Sequence, residues 1–154
     1  MSARRSPPRP WPASPKIFDV HVYERPIRFE DVDAARIVFF ARFFNYGHEA
    51  MESLFEGLEG GYVRLTMDRH IGMPAVHVEA DFKAPFRFGD VARIEVTVPR
   101  IGTKSCAFRY AFFRKRDGVH AATVLHTCAV TDLQAMKAIV IPDDVRALLE
   151  RHPS

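Results

Sequence analysis

Apolar residues between positions 42 and 58 recur every three or four places, which is the spacing of an amphipathic helix. Polar side chains, among them Glu49, Glu52 and Glu56, fall on the opposite face. Glycines at positions 57, 60 and 61 favour an end to the helix there. The pattern predicts one long helix with a continuous apolar stripe, formed by Phe43, Tyr46, Gly47, Ala50, Met51, Leu54 and Leu58.

The second half of the chain has a period of two instead, which indicates half-buried strands. This alternation predicts strands over residues 76–82, 91–99, 105–115, 119–132 and 138–141. Residues 17–29 alternate in part, with Val20 and Val22 on the expected apolar side. Short helices are predicted at 62–70 and 143–151. Short polar turns join the strands, so we expect an α+β domain in which an antiparallel sheet of about five strands wraps around the long helix.

Composition divides the 154 residues into a tail and a body. Residues 1–16 hold four basic side chains, five prolines and no acid, and therefore carry a charge of +4. Because the net charge is +3, the body is nearly neutral. We expect residues 1–16 to be a disordered basic, Pro-rich tail and residues 17–154 to be a single domain. Contact with nucleic acid or an acidic partner, or part of a transit peptide, are less favoured readings of the tail.

No apolar run approaches the roughly 20 residues of a membrane span, and the first residues lack the apolar centre of a secretory signal. The sequence therefore favours a cytoplasmic protein with no membrane or nucleic-acid partner. Cys106 and Cys128 lack the spacing of metal ligands, so we expect buried free thiols and neither a metal nor another cofactor.

Residues 28–44 read RFEDVDAARIVFFARFF, residues 81–96 read DFKAPFRFGDVARIEV, and residues 101–110 read IGTKSCAFRY. Together these segments resemble the hot-dog thioesterases, in particular the 4-hydroxybenzoyl-CoA thioesterase and related acyl-CoA thioesterase family. The resemblance covers about residues 23–151. It implies a curved sheet around a central helix, and hydrolysis of an acyl-CoA thioester to a free acid and coenzyme A.

By this resemblance Asp33 is the catalytic carboxylate, acting as nucleophile or general base. An acid ahead of a helix is more often a cap, and the flanking pattern is what favours catalysis here. The backbone N–H groups of Phe39 and Phe40 are the expected donors to the thioester carbonyl. Asp31 and Glu30 are expected to be solvated.

The resemblance also implies a substrate site. Lys104, with Arg100 and Lys137 as weaker candidates, is expected to contact the nucleotide of coenzyme A. Phe40 and Phe43 are expected to shape the acyl cavity. Relatives that act on short aliphatic thioesters often carry a histidine at the position of Phe40, so its absence favours aryl or other bulky apolar acyl groups.

Two departures from the family pattern leave alternatives open. Arg36 replaces a frequent glycine, which predicts loss of a positive φ and places a cation where it either holds Asp33 ionised or blocks the site. His48 replaces a frequent acid. A blocked site would favour a non-catalytic acyl-CoA binding domain. A hydratase would need an acid and a histidine placed to move protons, and the sequence shows no convincing arrangement of that kind. Another branch of hot-dog thioesterases carries its acid on the central helix, where Glu49 and Glu52 are the candidates.

An assembly is expected because a single curved sheet leaves strand edges open. Hot-dog domains pair such edges, which predicts a homodimer or homotetramer with the active site between subunits. Asp33 of one chain would then meet Lys104 of another.

Overall fold

The structure, a computed structural model, describes residues 19–154. The regular elements are β1 His21–Pro26, α1 Arg42–Leu54, α2 Gly61–Val63, β2 Ile71–Gly72, β3 Ala75–Phe82, β4 Val91–Ile101, β5 Ser105–Arg114, β6 His120–Ala129, β7 Thr131–Asp132, β8 Lys137–Ala138 and α3 Asp143–Glu150. Five strands form an antiparallel sheet in the order β1-β4-β5-β6-β3, and β2, β7 and β8 form a smaller one. The predicted tail, residues 1–16, lies outside the described residues.

The predicted elements are largely confirmed, with three adjustments. A 3₁₀ turn over Phe55–Gly57 completes α1, and π-helical turns over Arg64–Asp68 follow α2. The strand predicted over residues 119–132 is divided after β6, because the Val130 N–H donates to the Lys104 carbonyl at 2.8 Å. The strand predicted at 138–141 is only the two-residue β8.

The predicted apolar stripe of α1 is buried and packs against the sheet. At its centre the helix lies very close to β5. A Cβ added to Gly47 would lie 2.8 Å from Cδ2 of Tyr110, closer than real Cβ contacts allow. Glycine at position 47 therefore permits the aromatic ring of Tyr110 to pack directly on the helix backbone.

Strand β1 faces α1 with the opposite set of residues from the predicted one. Val20 and Val22 are exposed, whereas polar side chains reach the helix. His21 Nε2 lies 2.7 Å from Ser53 Oγ, and the Tyr23 hydroxyl donates to Glu49 at 3.0 Å. The prediction failed because these polar side chains find partners on the hydrophilic side of α1, which period-two alternation cannot reveal.

Strand β3 is the other edge of the sheet, and it pairs with β6 alone within the described residues. Its apolar side chains stay accessible: Val76, Val78 and Phe82 are 62%, 41% and 47% exposed. One flank of its backbone has no partner strand among residues 19–154. An exposed apolar edge of this length is a surface suited to pairing with another strand.

The long strands give the sheet two distinct ends. At the loop end, residues 32–38 meet the chain after β3, where the Val38 N–H donates to the Phe86 carbonyl at 2.9 Å. At the hairpin end, the turn at residues 102–104 meets the β7–β8 hairpin. Ten residues of β5 separate the two ends, which is roughly 30 Å of extended chain.

The two cysteines are buried free thiols, as the sequence predicts. Cys106 and Cys128 are paired residues of β5 and β6. Burial raises the pKa of each thiol to about 12, so both remain protonated at neutral pH.

Candidate active site

Asp33 opens a tight loop that precedes α1. Its backbone N–H donates to the Ile37 carbonyl at 3.0 Å, and its own carbonyl accepts from Arg36 at 2.9 Å. Its Oδ1 accepts the Ala35 N–H at 2.8 Å. The side chain is exposed, and its Oδ2 has no hydrogen-bond partner among residues 19–154. The loop thus fixes the carboxylate by one oxygen and presents the other to solvent.

Arg36 corrects one expectation from the sequence. Its φ is +64°, so the loop keeps the left-handed conformation although glycine is absent. This conformation costs a non-glycine residue about 1 kcal/mol. The Arg36 side chain is exposed and makes no ion pair with Asp33 in the described part of the chain. The Arg36 guanidinium therefore does not pair with the Asp33 carboxylate.

Of the two expected oxyanion donors, the structure leaves one. The Phe39 N–H donates to the Asp31 carbonyl at 3.1 Å, so the prediction for Phe39 is wrong in this conformation. The Phe40 N–H has no acceptor within residues 19–154. It lies at the start of α1, where the helix dipole contributes partial positive charge.

An apolar cavity of about 310 Å³ is lined in part by Phe40. Its walls are Ile37, Val38, Phe40, Phe43, Phe82, Lys83, Ala84 and Pro85. The ring centroids of Phe43 and Phe82 are 5.1 Å apart, and those of Phe40 and Phe82 are 6.4 Å apart, both edge to face. The cavity therefore lies between Phe40, just ahead of α1, and Phe82, at the end of the exposed strand β3. Phe40 and Phe43 both line it.

The predicted nucleotide contacts lie elsewhere. Lys104, Lys137 and Arg100 are exposed at the hairpin end. Lys104 is in the turn after β4, Lys137 is in β8, and Arg100 pairs with Ala107 near the end of β4. Since Asp33 is at the loop end, the structure does not bring the three cations and the carboxylate together within one chain.

Asp31 is buried, which corrects the expectation that it is solvated; Glu30 is exposed as expected. Asp31 Oδ2 accepts from Arg25 Nη1 at 3.1 Å and from the Arg28 N–H at 2.8 Å. Arg42 Nε lies 3.9 Å from its Oδ1. The sequence offers Arg25 and Asp31 as opposite charges, but only the fold shows that they meet.

Comparisons with known proteins decide the family. A family model described as the thioesterase-like superfamily matches residues 27–149, which is most of the chain. The chain belongs to this superfamily. It is a thioester hydrolase with the hot-dog fold, so both expectations from the sequence are confirmed.

Individual relatives agree with this assignment. A 1,4-dihydroxy-2-naphthoyl-CoA hydrolase of Nostoc punctiforme is 30% identical over 131 residues, covering 83% of this chain and 85% of the relative. The crystal structure of a thioesterase-superfamily protein from Jannaschia sp. CCS1 is 29% identical with a TM-score of 0.81, covering 92% of this chain and 98% of that one. A gentisyl-coenzyme A thioesterase structure is 28% identical with a TM-score of 0.73, covering 81% and 98%.

The acids on the central helix of this hot-dog thioesterase are already engaged. Glu49 Oε2 accepts from the Tyr23 hydroxyl at 3.0 Å and from Arg25 Nε at 3.1 Å. Glu52 lies 3.3 Å from His48 Nδ1, one helical turn away. The contacts of Glu49 fasten β1 to α1, which favours a structural role over a catalytic one.

None of the helices within residues 19–154 is both long and apolar enough to cross a membrane. No three His, Cys, Asp or Glu side chains in this range are grouped as a metal site.

Proposed function

We propose that this thioester hydrolase acts on aryl-CoA thioesters, with Asp33 as the catalytic carboxylate and the Phe40 N–H as the donor to the thioester carbonyl. One observation carries the proposal. A carboxylate with a free oxygen, an unengaged N–H at a helix start and an apolar aromatic cavity lie along one short segment, residues 33–43.

This arrangement supports two routes with the same outcome. As a general base, Asp33 takes a proton from water, and the resulting hydroxide attacks the carbonyl carbon. As a nucleophile, Asp33 attacks that carbon itself and forms an anhydride, which water then hydrolyses. In both routes the carbonyl oxygen becomes negative near the Phe40 N–H, the C–S bond breaks, and the coenzyme A thiolate leaves and is protonated.

The cavity favours an aromatic acyl group. Phe40, Phe43 and Phe82 offer edges and faces to a planar ring, and edge-to-face contacts of this kind stabilise aromatic pairs. The volume of about 310 Å³ exceeds what an acetyl group requires and is large enough for an aromatic ring. The printed names of two relatives, a dihydroxynaphthoyl-CoA hydrolase and a gentisyl-coenzyme A thioesterase, also specify aromatic acyl groups.

The nucleotide site in this proposal is completed by a second copy of the chain. Antiparallel pairing of two β3 strands would place the Ala75 end of one strand beside the Phe82 end of the other. The hairpin end of one subunit, with Lys104, Lys137 and Arg100, would then approach the loop end of its partner. A homodimer, alone or doubled to a tetramer, thereby supplies cations for the phosphates of coenzyme A.

A hydrolysis screen tests the proposed substrate class. Benzoyl-, hydroxybenzoyl- and phenylacetyl-CoA are compared with straight-chain acyl-CoA esters, and release of the free thiol is measured. We expect kcat/KM for the aromatic esters to exceed that for acetyl-CoA. A preference for acetyl-CoA would contradict the aryl assignment. Binding of these esters without turnover would contradict the proposed catalysis.

A further inference from the structure

The Asp31 carboxylate is surrounded by hydrogen-bond donors. The Arg28 N–H and Arg25 Nη1 reach its Oδ2, and Arg42 Nε approaches its Oδ1. The Tyr46 hydroxyl lies nearby, and burial together with the Asp31 carboxylate raises its pKa, so it stays protonated. Both oxygens of a carboxylate are acceptors, whereas an amide in its place would turn its NH₂ group toward one of these donors.

Two buried atoms of this group make no hydrogen bond. Asp31 Oδ1 and the Tyr46 hydroxyl oxygen are both inaccessible and have no partner within the described residues. Arg25 stacks on the Tyr46 ring, with Cζ 4.9 Å from the centroid. The same arginine donates to Glu49 on α1. Asp31 is therefore the centre of a buried polar cluster that joins β1 to the first turns of α1.

The backbone of Asp31 links this cluster to the oxyanion donor. Its carbonyl accepts the Phe39 N–H at 3.1 Å, one residue before Phe40. This bond fixes the orientation of the peptide unit that precedes the Phe40 N–H. The two N–H groups thus have separate uses: one holds the segment in place, and the other is left for a ligand.

We infer that Asp31 is a positioning residue for hydrolysis: anchored by the Arg25 guanidinium and the Arg28 N–H, its carbonyl engages Phe39 and leaves the Phe40 N–H aimed at the thioester oxygen. The inference rests on the proposed function of the Phe40 N–H. Asp31 itself touches no substrate in this scheme. In this scheme the two acids of the DVD sequence have different roles: Asp31 fixes the backbone and Asp33 reacts.

The test compares two inhibitors on the whole enzyme. One is a benzyl-CoA thioether, which lacks the carbonyl. The other is an aryl difluoromethyl ketone, phenyl–CO–CF2–S–CoA, which keeps the ring and presents an oxyanion when water or a carboxylate adds to its carbonyl. For Asp31→Asn we expect the inhibition constant of the ketone to rise at least tenfold and that of the thioether to change less than twofold. This ratio does not depend on the fraction of enzyme that is active.

Asp90→Asn is a matched control. Asp90 is also buried, accepts the N–H of the residue three places earlier, Arg87, at 2.8 Å, and pairs with an arginine, Arg116, at 2.7 Å. The hydrogen bonds of its carboxylate go to Arg87 and Arg116, which lie outside residues 32–40. We expect the control to lose stability while its ketone-to-thioether ratio stays within twofold of the wild-type ratio.

Each result decides a separate question. If Asp31→Asn does not fold, Arg25→Lys replaces it, because the Arg25 guanidinium donates to Asp31 Oδ2 at 3.1 Å, with an expected loss of two- to fivefold for the ketone alone. Faster amide exchange at Phe39 in the variant supports the anchoring. If the wild type hydrolyses thioesters but the variant weakens both inhibitors equally or neither, the inference is wrong. If the wild type hydrolyses no thioester and binds both inhibitors alike, the proposed function fails, and the inference fails with it.

Discussion

The loop end and the hairpin end of the sheet differ in chemistry, and in the proposed function they supply complementary halves of one thioesterase site. The loop end has the exposed carboxylate of Asp33, the aromatic cavity and the Phe40 N–H, which has no acceptor within residues 19–154. The hairpin end has exposed cations, among them Lys104 and Lys137, in turns that are stiffened by backbone hydrogen bonds. Roughly 30 Å of strand separates them. If the loop end breaks the thioester bond and the hairpin end holds the phosphates, as proposed, a single copy of the chain cannot use both on one substrate molecule.

The largest effect is expected at the loop end. Asp33→Asn keeps the size of the side chain but removes the anion, so kcat should fall by about 10² or more while the protein stays folded. Rates of thiol release on benzoyl-CoA measure this change. Glu52→Gln, an exposed helix acid, is the control and should retain near wild-type turnover. Full activity in Asp33→Asn with loss in Glu49→Gln or Glu52→Gln would transfer the catalytic role to the helix.

Mixing variants tests whether the two ends meet across subunits. Asp33→Asn chains are refolded in equal amounts with chains that carry both Arg100→Ala and Lys104→Ala. A shared site in a two-fold dimer would restore about a quarter of wild-type activity at low substrate, because half of the dimers are mixed and each has one intact site. Activity no higher than the average of the two parents would place both halves of a site in one chain.

The hairpin end alone should affect binding rather than chemistry. In the double variant Arg100→Ala and Lys104→Ala, we expect KM for a CoA ester to rise roughly tenfold with little change in kcat, because lost phosphate contacts weaken ground and transition states equally. A small aryl thioester without the nucleotide should be hydrolysed at an unchanged rate. Equal losses on both substrates would mean that these cations act on something other than the nucleotide.

The smallest effect is expected from the backbone of the Asp33 loop. Arg36→Gly relieves a left-handed conformation and should raise the free energy of unfolding by about 0.5–1 kcal/mol, measured by urea denaturation. Arg28→Gly, at a φ of −102°, is the comparison and should destabilise. A loss of stability in Arg36→Gly would show that the arginine side chain, and not the backbone, is what matters at this position.

The sequence predicts those features that depend on neighbours along the chain. The stripe of α1 and the alternation in β4 follow from periodicity, which reports one buried face directly. The inward side of β1 was assigned wrongly because His21 and Tyr23 are half-buried against partners 32 and 26 residues away. For the same reason nothing local distinguishes Asp31, which is 1% exposed, from the accessible Asp33 two residues later.

The sequence indicated which residues belong to the candidate site better than it indicated how they are arranged in space. Asp33, Phe40 and Phe43 fall on one continuous segment, so the family motif alone brings them close together. In the proposed dimer Lys104 would reach them only through the strand order and the pairing of two chains, neither of which a motif encodes. The engagement of the Phe39 N–H depends on a loop that folds back on itself, and it became visible only with the backbone path.

The close contact of Gly47 with the sheet couples the tilt of α1 to the residues at the start of the helix. The Tyr110 ring beneath it is held by a hydrogen-bonding contact of 3.0 Å between its hydroxyl and His126 Nδ1, so it cannot easily swing aside. Any added side chain at position 47 would therefore tilt α1. Seven residues toward the start of the helix, about 10 Å along its axis, that tilt reaches the Phe40 N–H. Gly47→Ala should accordingly lower kcat, measured on benzoyl-CoA, before it changes KM, although residue 47 is remote from the substrate.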